Sequence, residues 1–377
     1  MMMTKEEIFD QVERRKQDLI DDVCTMIHID SQRKESQIGM PFGRGVDEAL
    51  HKALEICQRE GLEIGNADGY MGYGQWGKGE NHIGIMGHLD VVDIGEGWDD
   101  PAFSAAIHDG RIWGRGALDN KGPLFAAFYG MLALKDLGIV PNIPVRVIFG
   151  TNEETGMKDC SYYLQHEKEP LMGFTPDNKF PAVYGKKGRA VFEVSGAVKG
   201  VIKFANDYLL NARSNGDRLG IAYKDPRFGE MQIRTKTLFQ TQDGIGIRFA
   251  LSYPDCDIND VTAKISSAAD GLKTVLAEDS PILAHDPDSW FVQTVNHAYE
   301  EATDTKAEPT TTSGGTYMNV CPTIINYGPS FPGQNGIAHQ PNEWMDIEDL
   351  VKCAKIYAWT LYKLCMSESD IDPWKKA

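Results

Sequence analysis

The chain contains no apolar run approaching the ~20 residues that a membrane-spanning helix requires. It also has no surplus of positive charge. A net charge of -17 opposes binding to nucleic acid and to anionic membranes. Its seven cysteines are odd in number, scattered, and include no CxxC pair, which argues against a disulfide framework and against a cysteine zinc site. They read as reduced, mostly buried thiols of a cytoplasmic protein. Repeats and low-complexity linkers are missing. The opening MMMTKEEIFDQVERRKQDLI reads as an amphipathic helix with a Thr4/Glu7 capping box, not as a secretory signal.

What is present is ordinary in bulk. With 42% apolar and 25% charged residues, the chain reads as globular, and 377 residues are usually divided between two domains. In the first part, compact apolar runs at 83–87 (IGIMG) and 145–149 (VRVIF) are of the kind found in strands buried on both faces. Between them, NKGPLFAAFYGMLALKDLG carries Pro123 near a helix start, apolar residues at helical spacing and Gly138 at the end. This β-α-β alternation predicts an α/β fold with a mostly parallel, doubly covered sheet.

After Lys187 the texture changes. RAVFEVSG reads as a strand and VIKFANDYLLNARS as a helix. MQIRTKTLFQTQ and GIGIRFALSYP then read as a hairpin across Asp243-Gly244, followed by the helix NDVTAKISSAADGL and a closing strand around TVLAE. The order β-α-β-β-α-β is that of a small ferredoxin-like unit. From Ser289 the first texture returns, with the helix SWFVQTVNHAYEEAT, the strand CPTIINYGP and the helix EDLVKCAKIYAWTLYKLCM. The expected organisation is a main domain in two parts, 1–187 and 285–377, interrupted by a small inserted α+β domain at 188–284.

The informative feature is an ordered set of seven acidic and imidazole side chains. They are His88 and Asp90 in MGHLDVV, Asp119 in GRGALDNKGP, Glu153 and Glu154 in GTNEETG, Asp177 in TPDNK, and His339 in GIAHQPNEW. Five carboxylates and two imidazoles are the ligand types that a pair of divalent cations requires. Nearly all sit where an apolar run gives way to a Gly-rich turn. Such a site reads as that of a hydrolase.

Each member also has a plainer reading. In His88-Leu89-Asp90 the two polar side chains share one side of an extended segment, so the carboxylate can support a ligating imidazole; the alternative is a histidine bonded only to backbone. Asp119 can bridge two metals ~3.5–4 Å apart or simply cap the helix before Pro123. Glu153 and Glu154, as neighbours, point differently. One can bind metal while the other serves as general base, although surface Glu-Glu pairs are common. Asp177 and His339 are uninformative alone.

Taken together, these segments resemble the M20 family of co-catalytic metallopeptidases, and most closely its PepV-like dipeptidase branch. The resemblance rests on GHLDVV, the segment from Gly97 to Phe103, GRG..D.KGP, NEETG, PDN, SGGTY at Ser313 to Tyr317, and AHQPNEW. It implies that His88 and Asp177 hold one zinc and Glu154 and His339 the other, with Asp119 bridging. It further implies that Asp90 orients His88, that Glu153 acts as general base on a water activated by both metals, and that the peptide bond after Asp119 is cis. Manganese or cobalt are alternatives to zinc. The implied substrate is a dipeptide or similar small peptide, and the small domain would act as a lid through which two copies could pair.

Two departures stand out. The lid region is short and contains no histidine between Gly188 and Ala284, where the family supplies one to the oxyanion. After SGGTY, Met318-Asn319 occupies the neighbourhood of an arginine that can bind the substrate carboxylate. Asn211, Arg213, Arg218 and His285 are the candidates for replacing these groups. Deacylation or desuccinylation of an amino acid, or metal binding with little turnover, are the competing functions.

Overall fold

The computed structural model describes residues 3–242, 244–333 and 337–376. Asp243, half of the expected hairpin turn, lies outside the described residues. The chain divides into two compact units. The first comprises Met1–Val183, Asp286–Pro309 and Thr316–Ala377, and the second Tyr184–His285 with Thr310–Gly315.

The Thr4/Glu7 capping box forms as expected. The single helix expected after it is instead two, α1 (Lys5–Arg14) and α2 (Lys16–Ile27). The break falls at Arg15, whose guanidinium bonds the carboxylates of Asp136, Glu60 and Asp18. Two of these partners, Asp136 and Glu60, lie far away in sequence, so helix periodicity could not announce the interruption. The first unit continues with α3 (Arg44–Arg59), β1 (Glu63–Ala67), β2 (Met71–Trp76), β3 (Ile83–His88), α4 (Lys121–Asp136), β4 (Val145–Gly150), α5 (Lys158–His166) and β5 (Met172–Thr175).

The second unit is built from β6 (Gly188–Gly196), α6 (Val198–Phe204), β7 (Gln232–Thr241), β8 (Gly244–Tyr253), α7 (Ile258–Ala268) and β9 (Lys273–Ser280). The helical path of α6 widens to π-helical turns over Ala205–Leu210. Its sheet runs β7-β8-β6-β9 with every pair antiparallel, the ferredoxin-like order. Phe192, Val194, Val201, Phe204, Phe249, Val261 and Ile265 close a core of its own.

The chain then returns to the first unit for α8 (Trp290–Thr303), β10 (Ile324–Asn326) and α9 (Ile347–Cys365). Here the strands run β1-β2-β4-β3-β5-β10, antiparallel through the first two pairs and parallel through the last three. Strands β3, β4 and β5 are buried along their whole length, which explains their unalternating apolar sequences. Helix α4 is buried at every residue from Lys121 to Leu134, consistent with its apolar residues all round.

Two glycines set the packing of α4. A Cβ on Gly130 would lie 2.9 Å from both Ala354 O and Ala358 N of α9, so the two helices touch backbone to backbone. A Cβ on Gly87 would meet the Asn120 side-chain oxygen at 2.5 Å. That close approach brings the N-terminus of α4 beneath the end of β3, where the chemistry gathers.

Candidate metal centre

The parallel strands deliver their C-terminal ends to one place, the usual position for a site in an open α/β sheet. His88 is the last residue of β3, Glu153 and Glu154 follow β4, and Asp177 follows β5. Asp119 immediately precedes Asn120, which stands at the N-cap position of α4, and the Asp119–Asn120 peptide bond is cis. Asn120 ties the corner together. Its oxygen faces the His88 N–H at 3.4 Å, and its amide donates to Pro176 O at 2.6 Å, beside Asp177.

All seven predicted side chains come together. His88 Nε2 lies 3.1 Å from Asp119 Oδ1 and 3.7 Å from Asp177 Oδ2. His339 Nε2 lies 3.0 Å from Asp119 Oδ2 and 3.0 Å from Glu154 Oε1. Asp119 thus presents a different oxygen to each imidazole. Among the described residues two groups offer ligand atoms within 4.8 Å of one another, His88 with Glu153 and Asp177, and His88 with Asp119 and Glu154.

The role of Asp90 differs in detail from the simple carboxylate-imidazole pair. His88 Nδ1 sits 2.9 Å from the Asp90 backbone oxygen and 3.6 Å from its carboxylate. A proton held on Nδ1 by that carbonyl leaves the Nε2 lone pair for a metal. The Asp90 carboxylate accepts instead from the N–H groups of Glu153 at 3.1 Å and Glu154 at 3.2 Å. It therefore fixes the turn that aims two adjacent glutamates in different directions. Glu154 Oε1 faces His339, whereas Glu153 Oε1 is buried with no hydrogen-bond partner. An orphaned buried carboxylate oxygen in such a place calls for water or a cation.

The electrostatics point the same way. Burial and the neighbouring Asp177 carboxylate push the Glu153 carboxyl well above its ordinary range. Burial and Asp119 do the same to Asp177, and burial raises Asp90 to about 7. His339 is raised to about 10 by its hydrogen bonds to Asp119 and Glu154. Burial opposes the charged form of Asp119, but hydrogen bonds with His339 and His88 hold its carboxyl below the usual range. So many buried acids are tolerable only with compensating positive charge, from protons or from divalent cations. The donor set therefore fits metal ions.

Three supporting residues had no role assigned from sequence. Glu343, fully buried, accepts at Oε1 from the N–H groups of Gly116 (3.0 Å), Leu118 (2.9 Å) and Asp119 (3.0 Å). Its Oε2 accepts from Arg115 at 2.7 Å. Glu343 thereby joins the loop that carries His339 to the loop that carries Asp119. His339 itself has φ +66°, a conformation that persists only when its surroundings dictate it. On the other side, Asp159 accepts from the N–H groups of Thr151 (2.7 Å) and Asn152 (2.8 Å) and from the buried Tyr317 hydroxyl. The tyrosine of SGGTY thus braces the turn carrying Glu153. The substrate-group candidates Asn211, Arg213, Arg218 and His285 all belong to the second unit, where Asn211 bonds Asn206 and Arg218 donates to Asp207 O.

Residues 84–363 match the family model described as peptidase family M20/M25/M40. The chain belongs to this family. An M20 relative, named "Putative dipeptidase YtjP" of Bacillus subtilis, is 28% identical over 456 aligned positions, covering 94% of this chain and 98% of that protein. The alignment is longer than the 377 residues present here, so YtjP carries segments that this chain lacks. The Beta-Ala-Xaa dipeptidase of Lactobacillus delbrueckii subsp. lactis is 39% identical over 186 residues, 48% of this chain and 40% of that protein. Among solved structures, human carnosine dipeptidase 1 matches with a TM-score of 0.70 at 15% identity, over 97% of this chain and 99% of that one. The Saccharomyces cerevisiae di-peptidase Dug1p matches with a TM-score of 0.71 at 15% identity, over 96% and 98%. At such identities these two likenesses establish the fold alone. Among the described residues no helix is long and apolar enough to cross a membrane.

Proposed function

We propose that this M20 peptidase is a di-zinc dipeptidase, cleaving the amide bond of dipeptides or similar small peptides, with manganese or cobalt able to replace zinc. The observation that carries the reading is the position of Asp119 between His88 and His339, one oxygen toward each. Kinship with YtjP along nearly the whole chain supports the substrate class. Seven unpaired cysteines support a cytoplasmic location.

In this reading His88 and Asp177 would hold one cation and Glu154 and His339 the other, with Asp119 offering one oxygen toward each side. The chemistry such a pair supplies is Lewis-acid polarisation of the scissile carbonyl and acidification of water. The chain supplies the proton traffic. Glu153, adjacent to a ligand but with an oxygen left over, takes a proton from the attacking water and passes it to the departing amine. Its buried oxygen without a hydrogen-bond partner leaves it free to carry that proton between the two. Asp90 keeps Glu153 and Glu154 divided between these tasks through their backbone N–H groups.

Purified protein supplied with Zn²⁺, Mn²⁺ or Co²⁺ should hydrolyse members of a dipeptide panel. Glu153→Gln should lower kcat by about 10²–10⁴ with two metals per chain still present by elemental analysis. Retained activity in that variant would remove Glu153 from the role. Two metals in the native protein without turnover of any dipeptide would favour a metal-binding protein, in keeping with the lack of histidine between Gly188 and Ala284.

A further inference from the structure

Beside the candidate metal centre lies a cavity of about 310 Å³ lined by Leu118, Asp119, Asp177, Asn178, Lys179, Pro329, Ser330 and Ala338. That volume is at the small end for ligand pockets and suits a molecule of dipeptide size. Asp119 and Asp177 are already engaged by the histidines and, in the proposed enzyme, by cations. Of the remaining walls, only Lys179 carries a charge, and it is positive. The anionic end of a dipeptide needs a cationic partner, and Met318-Asn319 offers none.

The backbone at Lys179 is firmly placed. Asn178–Lys179 pairs in parallel with Pro329–Ser330. The Phe180 N–H donates to Ser330 O at 2.8 Å, and the Gly328 N–H donates to Lys179 O at 3.1 Å. The next residue, Phe180, is buried among the rings of Tyr299, Tyr327, Phe331 and Tyr357. Because successive side chains of an extended segment alternate, anchoring Phe180 in the core turns Lys179 away from it. Lys179 is exposed, and among the described residues no carboxylate pairs with it. In a chain of net charge -17, an unpaired ammonium two residues from Asp177 is an unusual feature of the cleft.

We propose that Lys179 binds the free C-terminal carboxylate of the substrate, which makes it a specificity-determining residue for short peptides with an unblocked end. The proposal rests on the dipeptidase reading for its substrate class. In a dipeptide the carboxylate lies one residue beyond the scissile amide, and Lys179, two residues beyond Asp177 and lining the same cavity, is a cation available to it. A flexible lysine acts here as a point charge and does not need the bidentate geometry of an arginine. Substrates extended past this residue would lose the contact.

Binding tests this separately from turnover. The probes are a phosphinate isostere of Ala-Ala with a free carboxylate and its C-terminal carboxamide, titrated calorimetrically into zinc-loaded full-length protein. The free acid should bind wild type at least tenfold tighter than the carboxamide. Lys179→Ala should bring the two to near equality, chiefly by weakening the acid, and Lys179→Arg should keep most of the preference. Equal binding of both probes by wild type, or a preference unchanged in Lys179→Ala, overturns the proposal. Absence of binding by either probe overturns it as well. Dipeptide hydrolysis measured in parallel judges the proposed function on its own, because an acid preference can be present or absent whether or not the peptide is cleaved.

Discussion

At the scale of single residues, the candidate centre depends on side chains outside the proposed ligand set. Glu343 holds three consecutive-region N–H groups and a buried guanidinium with one carboxylate. Replacing it by Gln keeps the size but puts an amide where two acceptor oxygens are needed, and leaves Arg115 buried without its counter-charge. We expect Glu343→Gln to weaken metal retention by about 10–100-fold, the usual cost of losing an outer support. Zinc release to a competing chelator measures it, with circular dichroism confirming the fold. Unchanged release would make Glu343 a fold residue and nothing more. The five candidate ligands and their two helpers, Asp90 and Glu153, were legible because their side-chain types recur in chemistry and nearly all follow an apolar run. Glu343 and Tyr317 were not. Glu343 acts mainly on backbone N–H groups that come from a remote loop, and Tyr317 acts through Asp159, a residue with no chemical signature of its own.

At the scale of elements, α4 links the core to the site, since its buried length carries Asn120 and, just before it, Asp119. The contact at Gly130 therefore has consequences. A methyl there gains ~1 kcal/mol of helix propensity. It must also displace backbone atoms of α9 lying 2.9 Å away, which cannot swing aside as a side-chain end could. Overpacking of this kind costs ~1–3 kcal/mol. Gly130→Ala should thus lower the urea midpoint; a raised midpoint would show that α9 yields easily. Element types were readable here because α4 and its flanking strands are strongly patterned and punctuated by Pro123 and Gly138. The break between α1 and α2 was hidden, being bound up with ion pairs from Arg15 to Asp136 and Glu60.

At the scale of the whole molecule, the balance of charge governs stability. The first unit gathers Asp90, Asp119, Glu153, Glu154 and Asp177 around two imidazoles, and burial together with mutual repulsion raises several of their pKa values. Cations that bind the folded chain relieve that cost. With free metal ~100-fold above Kd, binding contributes about 2.7 kcal/mol. Stripping metal with a chelator should lower Tm by about 5 °C or more for a unit of this size. An unchanged Tm after complete removal, verified by elemental analysis, would mean that these carboxylates do not share a cation site.

What the sequence determined by itself was composition-driven and local: an α/β sheet, a ferredoxin-like second unit, and an ordered set of candidate ligands whose side-chain types suit a pair of cations. Strand burial, helix punctuation and ligand type are properties of short segments, so they survive without coordinates. Only the tertiary structure decided that Asp119 stands between two imidazoles, that Asp90 serves the glutamate turn through backbone N–H groups, and that Lys179 lines the cleft. Each of those facts is a relation between segments brought together by folding, and its energy resides in hydrogen bonds and fields that no single segment contains.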